Sequence, residues 1–105
     1  MPFIRRNLSP IGGQSTPIQN GSAETVPGCP AIWSYRTADA AATVDTAGYF
    51  NEMANVLKVG DLIYRLTIDG TGAVTAAGFH VVLSVSAAGV VNVSDTLALT
   101  ITNTD

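Results

Sequence analysis

The sequence predicts a mainly β protein: a small sandwich or partly open barrel of four to five strands, with one short α-helix and an extended N-terminal arm. Three observations lead there. Apolar and polar residues alternate with a period of two in several runs after residue 31, which is the mark of half-buried strands. One stretch near the middle instead repeats its apolar residues every three to four positions. Finally, all five prolines (Pro2, Pro10, Pro17, Pro27, Pro30) fall within the first thirty residues, where they block helix interiors and central strands.

In chain order, residues 1–30 form the expected arm and 31–105 the compact β-rich domain. The arm is rich in glycine and small polar residues, yet Phe3, Ile4, Leu8, Ile11, Ile18 and Val26 punctuate it. A plain linker has no need of such residues. They are expected to dock on a neighbouring subunit, ordering as they bind, so that deletion of residues 2–26 leaves the β domain folded. From Ala31, the run Ile32-Trp33-Ser34-Tyr35-Arg36 places the sole tryptophan and Tyr35 on one strand face. Trp33 is a packing anchor in either the core or a subunit contact, the core being favoured.

The helix is expected over residues 45–58. Tyr49/Phe50, Met53/Ala54 and Leu57 line one face, Asp45 or Thr46 caps its start, and Gly60 closes it just after Lys58. A strand follows, with Leu62, Tyr64, Leu66 and Ile68 on one face and Ile63, Arg65, Thr67 and Asp69 on the other, so that helix and strand share a core. Asp69-Gly70-Thr71-Gly72 is a tight-turn sequence leading into a hairpin arm, Ala77 to Ser86. Ala87-Ala88-Gly89 turns the chain into a short strand, Val90 to Ser94, and a last run alternates Leu97, Leu99 and Ile101 with small residues.

Composition narrows the function. The chain is 47% hydrophobic and only 12% charged, about half the roughly 25% of ordinary soluble domains. So few charges leave little to keep copies apart, which points to permanent assembly. A net charge of −3 offers no basic footprint for nucleic acid. No run approaches the ~20 apolar residues of a membrane span, and the N-terminus lacks the pattern of a secretory signal, so the chain is expected to be soluble, unprocessed and made in the cytoplasm.

No catalytic, cofactor or metal constellation is legible. Cys29 is the single cysteine and His80 the single histidine; neither has local partners for nucleophilic chemistry or metal ligation, and both are read as structural. Asp61, Asp69 and Asp95 sit at turn or strand boundaries, where carboxylates satisfy backbone donors. Gly12-Gly13 lacks the strand, helix and lysine of a phosphate-binding loop. Tyr49-Phe50 is better explained by core packing than by a stacking platform. An enzymatic role is therefore not expected.

Between Tyr35 and about Asp95 the chain resembles a small-protein family encoded among the structural genes of tailed bacteriophages and prophages. The likeness is carried by Asp45-Thr46-Ala47-Gly48-Tyr49-Phe50-Asn51, by Leu57-Lys58-Val59-Gly60-Asp61, and by Gly89-Val90-Val91-Asn92-Val93-Ser94-Asp95, in that order. It implies a virion component on the capsid surface: a head decoration (cement) protein, or alternatively the trimeric base or adaptor of a head or tail fibre. The implied partners are further copies of the chain, as a homotrimer, and the major capsid protein or another virion protein. Phe3, Ile4, Leu8, Ile11 and Trp33 are the expected interface residues.

Overall fold

The computed structural model describes residues 3–11 and 30–104. They form a mainly β fold with six strands: β1 (Leu8–Ile11), β2 (Ile32–Thr37), β3 (Leu62–Ile68), β4 (Val74–Val85), β5 (Val91–Val93) and β6 (Leu97–Ala98). One four-residue α-helix, α1 (Ala41–Val44), is also present. The sheet runs β1-β2-β3-β4-β5, with β6 alongside β4. It is a mixed sheet: β2 and β3 are parallel and every other pair antiparallel. It does not close into a barrel.

The parallel pair dictates the second layer. Parallel neighbours need a crossover connection, and residues 38–61 supply it as α1 followed by a series of tight turns that lie on one sheet face. Val44, Phe50, Met53 and Leu57 descend from this layer onto Trp33, Tyr35, Ile63, Val82, Val91 and Val93 of the sheet to make the core.

The helix expected over 45–58 does not form. Residues Asn51–Met53 make a single 3-10 turn, and the only α-helix among the described residues precedes the expected start, with Asp45 as its C-cap rather than an N-cap. Gly48 explains the break, since it takes φ +93°, a left-handed conformation that no helix interior holds. The backbone finds other partners: Gly48 N–H donates to Val91 O (2.9 Å), and Val91 N–H donates to Asn51 Oδ1 (2.9 Å). The edge of β5 thus takes over hydrogen bonding that a helix would have supplied internally. The apolar spacing still foretold burial: Phe50, Met53 and Leu57 all lie in the core.

Two turns behave as expected. The β3–β4 hairpin closes around Asp69, whose Oδ1 accepts from Thr71 N (2.8 Å), Thr71 Oγ1 (2.7 Å) and Ala73 N (3.0 Å). Gly89, at φ +86°, turns β4 into β5. The last run is shorter than its alternation suggests. Only Leu97 and Ala98 pair with β4, and residues 99–104 are exposed.

The N-terminal residues are tied into this fold. β1 lies antiparallel against β2, and Phe3 and Leu8 are buried in the core. Phe3 stacks on Tyr35 (ring centroids 5.3 Å) and meets Phe50 edge-on (5.4 Å). Residues 3–11 are therefore not a free strap, and deleting 2–26 would strip a strand and two core side chains. The remaining arm features, Gly12, Gly13, Pro17, Ile18, Val26, Pro27 and Cys29, lie outside the described residues.

Candidate functional site

Beneath the sheet lies a buried polar network. β3 presents Ile63, Arg65 and Thr67 to the core side, and Arg65 is 1% exposed. A buried cation needs hydrogen-bond acceptors. Arg65 Nε donates to His80 Nε2 (3.1 Å), Nη1 to Thr67 Oγ1, and Nη2 to Thr96 Oγ1 (3.2 Å). Because His80 Nε2 accepts, its proton sits on Nδ1, which donates to Ser94 O (3.0 Å). Burial, with Arg65 close by, holds the His80 imidazole below its ordinary pKa and keeps it neutral, although Ser94 O and the charges of Asp45 and Asp95 pull the other way. Burial likewise lowers the pKa of Arg65, against the attraction of Asp45.

A second chain of hydrogen bonds runs from the N-terminal residues into the turn layer. Tyr49 Oη donates to Asp39 Oδ2 (2.7 Å), so Tyr35 Oη donates to Tyr49 Oη (2.8 Å) and accepts from Ile4 N (3.1 Å). Burial together with the Asp39 carboxylate raises the Tyr49 pKa. For Asp39, desolvation pushes the pKa up, but hydrogen bonds, that of Tyr49 foremost, outweigh it and leave it lowered.

At the other end of the core the fully buried carboxylate of Asp61 accepts from Ala31 N (2.9 Å), Trp33 Nε1 (3.0 Å) and Lys58 N (3.1 Å), with Lys58 Nζ at 3.7 Å. It ties the starts of β2 and β3 to the end of the turn layer. Among the described residues every buried side-chain nitrogen and oxygen has a partner, and no three metal-ligating side chains cluster. Both His80 nitrogens are engaged. These networks orient strands.

The opposite face of the sheet is different. Strand register aligns Ile11, Ile32, Leu62 and Val81 in one row across β1 to β4. The next row is Ser9, Ser34, Tyr64, Phe79 and Leu97. A third joins Arg36, Leu66 and Ala77 to Leu99, whose N–H donates to Ala77 O (2.9 Å), and Ile68 beside Val74 extends it. Ala77 is buried, but none of these side chains belongs to the core cluster. Tyr64 and Phe79 pack against each other instead, ring centroids 5.7 Å apart. No described element covers them. Ile11, Ile32, Val81, Leu97, Leu99 and Val74 account for six of the ten large apolar residues exposed in the structure.

Such a face is the candidate site, because the largest apolar patch of a protein is often a functional one. Among the described strand residues on it, Arg36 is the only charged one.

The five expected interface residues separate accordingly. Phe3, Leu8 and Trp33 are buried in the core of their own chain, and Ile4 is half-buried beside Tyr35. Ile11, 49% exposed, alone reaches the open face. Sequence reasoning missed the remaining members of that face. The four-residue alternation Leu62, Tyr64, Leu66, Ile68 was the available signal, but alternation does not say which of two faces meets the core.

No helix among the described residues is long and apolar enough to cross a membrane. Comparison with protein-family models, with curated proteins and with solved structures returns no match.

Proposed function

We propose that this chain is a structural protein of a bacteriophage particle, a head decoration (cement) protein that binds the outer shell as a homotrimer and stabilises it by added contacts rather than by chemistry. The open sheet face carries the reading: a chain of low charge with six large apolar residues exposed on one side of its sheet is suited to being covered. The phage-like motifs between Tyr35 and Asp95 supply the kind of particle. Polar networks engaged within the fold suit a scaffold whose task is rigidity, and contacts repeated around a symmetry axis add up. The net charge of −3 disfavours direct binding to the packaged genome.

The test is to mix purified protein with empty phage shells and count bound copies. Copy numbers that follow the shell lattice support a cement role. Saturation at one or a few unique positions assigns the chain to a fibre base instead, and absence of binding to any virion part refutes both.

A further inference from the structure

We infer that residues 94–99 form an acid-sensitive latch: protonation of His80 releases this segment from β4 while the rest of the fold stays closed.

One buried pair lies under the segment, and the segment closes it at both ends. Arg65 and His80 are 1% and 0% exposed and meet Nε to Nε2 at 3.1 Å. The far side of the imidazole, Nδ1, is closed by Ser94 O (3.0 Å), and the far side of the guanidinium, Nη2, by Thr96 Oγ1 (3.2 Å). Gly78 permits the approach, since a Cβ there would strike Thr96 Oγ1 and come 3.0 Å from Arg65 Nη2.

Only a neutral His80 fits this arrangement. The Arg65 Nε–H needs the Nε2 lone pair. A proton on Nε2 removes that acceptor and leaves two cationic N–H groups pointing at each other in a site closed to water. Among the described residues no carboxylate takes the acceptor's place. Asp45, at the end of α1, and Asp95, in the segment itself, act on the pair through space. Asp39 reaches the cluster by its backbone oxygen, through Thr67, while its carboxylate accepts from Tyr49.

Relief comes at the weakest attachment. The segment places no side chain in the core, whose last member along the chain is Val93, and Leu97 is 67% exposed. Hydrogen bonds hold it instead: Ser94 N–H to Val81 O (2.8 Å), the two-residue ladder of β6, and Leu99 N–H to Ala77 O (2.9 Å). Lifting it exposes little apolar surface, so it opens at a lower free energy than the whole domain. Water then reaches both cations. The edge of β4 at Gly78 and Phe79 is bared as well, and a bared edge can accept another strand.

Residue-resolved hydrogen exchange on the full chain tests this, read as protection factors so that the intrinsic pH dependence of exchange is removed. Two results are expected. Protection at the Ser94 and Leu99 amides should lie well below that at the Leu62 and Val82 amides, which donate to Ala31 O and Asp61 O, and should change little in dilute urea, because little surface is exposed. It should also fall by up to about tenfold per pH unit below about pH 6.5, one proton being taken up on opening. His80→Gln, which still accepts from Arg65 and takes up no proton, should abolish that fall. Should His80→Gln fail to fold, the wild-type pH and urea series decide alone. The inference is overturned if protection at Ser94 and Leu99 is independent of pH. It is equally overturned if these amides match Leu62 and Val82 in protection and urea response, since they then open only with the whole fold, or if the fall persists in folded His80→Gln.

Discussion

Replacing Asp61 by alanine should come close to unfolding the protein. Its carboxylate is fully buried and accepts three N–H groups, from Ala31, Trp33 and Lys58. Alanine leaves all three without an acceptor. An orphaned buried donor costs about 1–3 kcal/mol. The Ala31 amide and the Trp33 indole belong to buried residues and bear that cost in full, whereas the Lys58 amide is only partly buried and can turn to water. The expected loss is about 3–5 kcal/mol, against a total of about 5–15 kcal/mol for a domain. Asp61→Asn keeps one acceptor oxygen and should lose less. Urea denaturation followed by fluorescence reads the effect directly, because Trp33 is the sole tryptophan and lies within the network. All variants must be compared at one chain concentration, since an assembly couples stability to concentration. A loss below about 1 kcal/mol for Asp61→Ala would refute the claim that this carboxylate joins the starts of β2 and β3.

The remaining predictions concern other parts of the fold. His80 is neutral in the folded state and its pKa there lies below the ordinary 6.5, so the unfolded chain binds more protons on acidification. Stability should therefore be full above about pH 6.5 and fall as pH drops through the folded value. His80→Gln, which can still accept from Arg65, should flatten that slope in pH-dependent urea melts, while losses due to Asp39 and Asp69 appear only in the lower carboxylate range. A Cβ at Gly78 would collide with Thr96 Oγ1 and come within 2.8 Å of Leu97 O. Gly78→Ala should cost about 1–3 kcal/mol and loosen β6, seen as faster hydrogen exchange at the Leu99 amide; unchanged protection there would contradict the close approach. Phe3→Ala should cost about 3–5 kcal/mol in the same urea melts. A loss below about 0.5 kcal/mol would return Phe3 to the role of a docking side chain on another subunit.

What could be read from the residues and what could not divides along physical lines. The period-two runs identified β2 to β5, because pleating forces alternate side chains to opposite faces whatever the partner. Apolar spacing named Phe50, Met53 and Leu57 as core, yet mistook their conformation. The same spacing serves a helix or a chain of turns, and one residue, Gly48 at φ +93°, together with the waiting edge of β5, decided between them. β1 was hidden because its four residues include Pro10 and carry no alternation of their own; only β2 gives them a partner. Leu97 to Ile101 alternated cleanly, but a strand needs a neighbour, and β4 offers one for two residues only.

The candidate site shows the same division. From the residues and their spacing follow the β class and the scarcity of charge. Which face of β3 stays open does not. Leu62, Tyr64, Leu66 and Ile68 are the more apolar set, yet Ile63, Arg65 and Thr67 face the core. That choice belongs to residues far away in the chain: His80, Ser94, Thr96 and the backbone of Asp39 satisfy the polar groups of the buried set. A strand cannot state that its arginine will find acceptors. Only the folded sheet supplies them, and in doing so it turns the apolar face outward.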